Sequence, residues 1–287
     1  MSPLLRSASG PISYSLSGPQ DAGTRDLVLV HGWCCDRTAL APLRERFEQA
    51  HRVLSLDLRG HGQSRETYDD GSAGVGSRRG DQDEPATGTV ATRIEEFADD
   101  VLAVSREAGL HSPVVIGHSL GALVALATLD RADAAGAAVP VGAVLLDPAP
   151  LAHGRGKAFW ADQVEPVSRD HSGELRRGFA RSLVLPTDTA DYTQVVEVMA
   201  SVHPRVAAGG AQAMAQFDGA AVLGRLSAPI LVIQAATAER DLDRLVPDRA
   251  LLTLGRTVGA GHFHQFEVPD QLEPMIERWL SVTDLSR

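Results

Sequence analysis

Val114-Val115-Ile116-Gly117-His118-Ser119-Leu120-Gly121-Ala122 decides how this chain folds. The apolar run from Pro113 to Ile116 is too short for a helix and shows no polar alternation. It reads as a strand buried on both faces of a sheet. From Leu120 to Ala127 the residues are small or aliphatic, the pattern of a helix packed closely on that sheet. Between the two lies Gly-x-Ser-x-Gly. A serine at the apex of a strained strand-to-helix turn needs residues without bulk two places before and after it, because strand and helix nearly touch there. The hydroxyl is then lifted above the sheet edge at a helix N-terminus, with the Leu120 backbone N–H directed at any negative charge that develops beside it. Ser119 is the candidate nucleophile.

On either side of this turn the same rhythm repeats. Before it come short strands at Leu4 to Ser9 and Ile12 to Leu16, separated by Gly10-Pro11, then the apolar run Asp26 to Val30 ending at His31-Gly32. Residues 37–50 read as an amphipathic helix, and Arg52 to Leu56 as a buried strand stopped by Asp57. A helix is expected from about Ala91 to Ala108, with Ile94, Phe97, Val101 and Leu102 on one face. After it, Ala143 to Leu146 is a strand ending at Asp147-Pro148, and Pro229 to Ile233 and Thr253 to Val258 are two more. A terminal helix spans about Pro269 to Leu280. Alternating buried strands and helices imply an α/β fold with a mostly parallel sheet and right-handed crossovers. Residues 1–150 and 223–287 form the expected core. Residues 151–222 carry helical patterns without a strong strand, and 65–92 is a Gly, Ser and charge-rich stretch expected to be a flexible loop.

A histidine must reach Ser119 for the hydroxyl to lose its proton near neutral pH. His262 follows Gly259-Ala260-Gly261 in a loop between a strand and a helix, which delivers it to the C-terminal edge of the sheet. His264 reads as its neighbour or as a pocket residue, and His61 as a structural residue holding its own loop.

With these residues placed, the chain resembles the α/β-hydrolase superfamily over nearly its whole length. Four motifs stand in that family's order: His31-Gly32-Trp33, Asp57-Leu58-Arg59-Gly60-His61-Gly62-Gln63-Ser64, the turn at Ser119, and Gly259-Ala260-Gly261-His262 before Glu267-Val268-Pro269. The resemblance implies the fold, a nucleophile–acid–histidine triad and a helical cap over 151–222. It also implies a second oxyanion donor at the Trp33 backbone N–H, beside that of Leu120. The triad acid departs from the usual pattern. The family's common position is the loop after Pro229 to Ile233, where this chain reads Gln234-Ala235-Ala236-Thr237-Ala238. Asp147, at the end of the preceding strand, is the favoured acid, with Asp241, Glu239 and Asp243 as alternatives.

The implied chemistry is attack of Ser119 on an ester or lactone of a small-molecule substrate, with amide or C–C hydrolysis open to the same constellation. His118, Trp160 and Phe263 are substrate-pocket candidates, and Phe159, Leu183, Val184, Met199 and Met214 could supply apolar lining. The chain is also similar in places to cofactor-independent dioxygenases of this fold. Those carry a histidine immediately after the serine, where this chain has Leu120. A ligand receptor that keeps the triad is a third alternative.

Composition narrows the partners. The 287 residues carry a formal net charge of −10, which disfavours nucleic acid and anionic membrane surfaces. No apolar run of about 20 residues could span a bilayer. Cys34 and Cys35 are the only cysteines and are adjacent, so no disulfide framework is expected. No leader-like apolar core is evident near Met1, and cytoplasmic residence is the expectation. No metal-ligand cluster or phosphate-binding loop is visible, and neither metal nor cofactor is expected.

Overall fold

The computed structural model describes residues 4–7, 10–20, 25–67, 90–132, 139–152, 154–235 and 244–285. Its strands are β1 (Leu4–Ser7), β2 (Gly10–Ser17), β3 (Asp26–Val30) and β4 (Arg52–Leu56). The later ones are β5 (Val114–His118), β6 (Gly142–Leu146), β7 (Ile230–Gln234) and β8 (Leu252–Arg256). They pair into one sheet in the order β1-β2-β4-β3-β5-β6-β7-β8. The pairs β1–β2 and β2–β4 are antiparallel, and all the others are parallel. This is the α/β-hydrolase fold.

Burial follows the pleat. Leu27 and Leu29 of β3 enter one apolar core with Val114 and Ile116 of β5, whereas Val28, Val30 and Val115 enter the other. Helices α1 (Ala41–Phe47) and α10 (Pro269–Val282) cover the first face through Leu43, Phe47, Leu272, Ile276 and Trp279. Helices α2 (Ile94–Glu107) and α3 (Leu120–Ala132) cover the second. The 37–50 segment begins as a tight 3-10 turn, Arg37–Leu40, rather than as continuous α-helix. Pro42, at the second helical position, suits a start there.

Between β6 and β7 the described residues form five helices: α4 (Arg155–Ser168), α5 (Glu174–Ser182), α6 (Thr193–Ser201), α7 (Pro204–Gln216) and α8 (Gly219–Leu223). Helices α4 and α7 pack along each other. The guanidinium of Arg176, fully buried, pairs with Asp170 at 3.3 Å and donates to the Val202 and Ala200 carbonyls, which ties α5 to the ends of α4 and α6. Most of the stretch expected as a loop at 65–92 lies outside the described residues, from 68 to 89.

Three neighbouring strands end where Ser119 sits. The chain turns directly from β5 into α3 there, and the approach is close. A Cβ on Gly117 would lie 2.0 Å from the Gly121 carbonyl oxygen, and one on Gly121 would lie 2.2 Å from that of Val30. Both neighbours are backbone and cannot swing away. Gly121→Ala is therefore expected to destabilise the chain by about 3 kcal/mol or more. Urea denaturation checks this, and a loss of about 1 kcal/mol or less would mean that helix and strand can part.

Candidate active site

Parallel strands bring their C-terminal ends to a single edge, and the loops leaving that edge build the site. β3 leads into Trp33, β5 into Ser119, β6 into Asp147, and the loop after β8 carries His262. Strain gathers here. Among the described residues the non-glycine positions with positive φ are Cys34, Ser112, Ser119 and Asp147, and all but Ser112 belong to this edge. Ser119 has φ +56°, held by its N–H bond to the Leu146 carbonyl and by the Ala122 and Ala149 N–H groups donating to its own carbonyl. Such a conformation costs about 1–2 kcal/mol for a residue with a side chain. The surrounding sheet and α3 impose it.

His262 Nδ1–H donates to Asp147 Oδ2 at 2.6 Å. The other carboxylate oxygen accepts the Ala235 N–H at 2.9 Å. Burial pushes the Asp147 carboxyl upward, but the hydrogen bond and charge of His262, with the Ala235 bond, outweigh it and hold the group below its ordinary value. Asp147 is thus an ionised acceptor. The His262 ring is fixed with its proton on Nδ1, leaving the Nε2 lone pair free to act as a base. Glu239, Asp241 and Asp243, the alternative acids, lie outside the described residues.

His118 is fully buried, and its Nε2–H donates to the His262 carbonyl at 2.9 Å, so the residue before the serine grips the loop that brings the histidine. Neither the Trp33 nor the Leu120 backbone N–H finds an acceptor among the described residues. The Trp33 N–H shares a peptide with the Gly32 carbonyl, which accepts His31 Nδ1–H at 2.9 Å, while His31 Nε2 accepts the Leu58 N–H at 3.0 Å. His31 therefore sets the direction of that peptide.

Ser119, His262, Trp33 and the candidates His118, Trp160 and Phe263 all line one cavity of about 260 Å³. Phe159, Phe179, Leu183, Met199 and Cys35 complete much of its wall. Rings of Trp33, Trp160 and Phe179 meet edge to face at 5.0–5.5 Å, the arrangement aromatic pairs prefer. Two apolar candidates lie elsewhere. Met214 is buried in the core, and Val184 faces a second cavity with Arg181, Tyr192 and Glu197. Among the described residues, no group of acidic, histidine or cysteine side chains could hold a metal ion, and no helix is long and apolar enough to cross a membrane.

A model of the alpha/beta hydrolase family matches residues 27–274. The chain belongs to that family. This α/β hydrolase is 28% identical over 248 residues to the pimeloyl-[acyl-carrier protein] methyl ester esterase of Sodalis glossinidius (strain morsitans), covering 84% of each chain. Its structure is similar to a thermophilic esterase from Thermogutta terrifontis, at 21% identity and a TM-score of 0.74, with 98% of each chain covered. It also resembles the enol-lactonase from Burkholderia xenovorans LB400, at 18% identity and a TM-score of 0.75, with 97% of this chain and 100% of that one covered. These two likenesses speak for the fold.

Some site residues had no marker in the sequence. Phe179 sits mid-helix in α5, and nothing in its neighbours distinguishes a pocket wall from ordinary packing. Glu267 stood in a motif without an evident task. The structure shows its carboxylate accepting the Thr189 and Ala190 N–H groups and the Tyr192 hydroxyl at 2.8–2.9 Å, which clamps the helical segment to α9 (His264–Glu267).

The hydrolase also carries buried histidines whose charge the fold resists. Burial, then the neighbouring His31, lowers His61 to about 3. His264 is lowered to about 4 by burial, and His118 falls well below its ordinary value by burial, then by His262 and His264. In the unfolded chain each would titrate near ~6.5. Between about pH 6.5 and 4 the unfolded state binds more protons, so stability is full above that window and falls as the pH drops through it. The slope is at most about 1.4 kcal/mol per pH unit for each ring. Urea midpoints at successive pH values should show this decline, and His264→Gln should flatten it. An unchanged slope in that variant would mean that His264 is not buried neutral.

Proposed function

We propose that this α/β hydrolase cleaves a carboxylic ester or lactone of a small, uncharged and mainly apolar substrate, through an acyl-enzyme on Ser119. The observation that carries the reading is the 2.6 Å bond from His262 Nδ1–H to Asp147, which leaves Nε2 as a base in the cavity that Ser119 also lines. Among the described residues the Ser119 hydroxyl makes no hydrogen bond, so its proton is not committed elsewhere. Contacts between nucleophile and base of this kind commonly tighten when substrate binds.

Ser119 Oγ attacks the carbonyl carbon while His262 Nε2 takes its proton. The imidazolium that forms is stabilised by ionised Asp147. The carbonyl oxygen, now negative, accepts from the Trp33 and Leu120 N–H groups, both without another acceptor among the described residues. Nε2–H then protonates the departing alkoxide, and water repeats the cycle to release the acid.

Size and polarity support the substrate class. A cavity of about 260 Å³ lies below the ~300–1,000 Å³ of sites for drug-sized ligands. Among the described residues that line it, Asp147 is the one acidic or basic side chain apart from histidines, and it is already bonded. A free carboxylate on the substrate would find no cation among these described residues and would lose its hydration uncompensated. Cytoplasmic residence suits two buried, unpaired cysteines.

Hydrolysis of p-nitrophenyl butyrate should fall by about 10⁴-fold or more in Ser119→Ala and His262→Ala, and by about 10⁴-fold in Asp147→Asn. A fluorophosphonate should label the wild-type protein and spare Ser119→Ala. Turnover that survives Ser119→Ala would remove the acyl-enzyme from the account.

A further inference from the structure

The loop that carries His262 is attached to the helical segment between β6 and β7 as firmly as to the sheet. The His262 N–H donates to the Leu183 carbonyl at 3.2 Å. The Gly261 N–H donates to the Asp188 carboxylate, at 3.2 and 3.3 Å from its two oxygens. Asp188 Oδ2 also accepts the Leu185 N–H at 2.8 Å, which holds the carboxylate in a tight turn aimed at Gly261. With the His118 bond to the His262 carbonyl, the peptides on both sides of His262 are fixed. Gly261 permits the contact: a Cβ there would lie 2.7 Å from both Asp188 Oδ2 and the Leu183 oxygen.

We infer that Asp188 is a positioning residue for His262, so that the helical segment completes the catalytic apparatus as well as roofing the pocket. The inference rests on the Ser119–His262–Asp147 reading above. Asp188 touches no reacting atom. Among the described residues no cation pairs with it; its charge is spent on two backbone N–H groups, one of them next to the base. Without it the Gly261 peptide loses its acceptor and the loop can slip from the segment. The ring then swings from Asp147, and Nε2 is no longer presented to the serine. Misplacement of a catalytic group by about 1 Å costs on the order of 100-fold in rate.

The test uses the full chain and two readouts: p-nitrophenyl butyrate kinetics and the imidazole ¹⁵N shifts of His262, assigned by their loss in His262→Gln. Asp188→Ala should lower kcat by about 10- to 100-fold with KM within about two-fold. Its ¹⁵N shifts should move from the Nδ1–H tautomer to an averaged one. Asp188→Asn, whose amide oxygen still accepts, should recover most of the loss. Should Asp188→Ala fail to fold, Gly261→Ala disturbs the contact from the other side and should give the same kinetic and spectral pattern. Two results overturn the inference: kcat within about two-fold of wild type, or a lower kcat with the wild-type tautomer retained. If the wild-type protein shows no Ser119-dependent turnover, the ester-hydrolase reading fails by itself. The ¹⁵N shifts still decide the role of Asp188, because an undisturbed tautomer in Asp188→Ala refutes it without any substrate.

Discussion

Everything at this site depends on how closely α3 can approach β3 and β5. Gly117 and Gly121 leave backbone against backbone, and the turn between them has to place Ser119 at φ +56°. A conformation this unfavourable persists because the sheet on one side and a buried helix on the other allow no alternative. Cys34 and Asp147 are left-handed at the same edge, so the strain is shared among the strand ends that converge there. The two apolar cores on the faces of the sheet offset it.

The polar chemistry built on this edge is notably dry. His31, His61, His118 and His264 are all buried, and each has a hydrogen bond that orients its ring. Their value lies in staying neutral. A neutral ring can donate through one nitrogen and accept through the other, so His31 directs a peptide and His118 holds the His262 loop without placing a positive charge beside Asp147. The same neutrality costs stability in acid. On the proposed reading His262 is the ring meant to gain a proton, and it alone among these is paired with a carboxylate, Asp147.

The helical segment closes the site in two senses. Its aromatic residues Trp160 and Phe179 pack on Trp33, which makes an apolar wall over the serine. Its turn from Leu183 to Tyr192 reaches back to the loop of His262 through the Leu183 carbonyl, Asp188 and Glu267. Movement of the segment would therefore change pocket shape and histidine position together.

Sequence by itself was enough for the fold class, the succession of core strands and helices along the chain, and the serine turn. Each strand, helix and turn is written in neighbouring residues, because short apolar runs and glycines two residues from a serine leave a readable period. The pairing of strands such as β3 and β5 nevertheless joins segments far apart in the chain. His262 was expected at this edge from its glycine-rich loop after the last strand, and the structure puts it in the cavity that Ser119 lines. The end of a buried strand already favoured Asp147 as the partner of that histidine, and the structure shows the bond. What holds the histidine's loop only the tertiary structure decided. Asp147 lies 115 residues before His262, and Asp188 lies 73 before Gly261. Nothing local distinguishes Asp188 from a surface acid. Each of the two acids acquires its partner only when distant segments are brought to the same edge, and a linear pattern carries no record of that meeting.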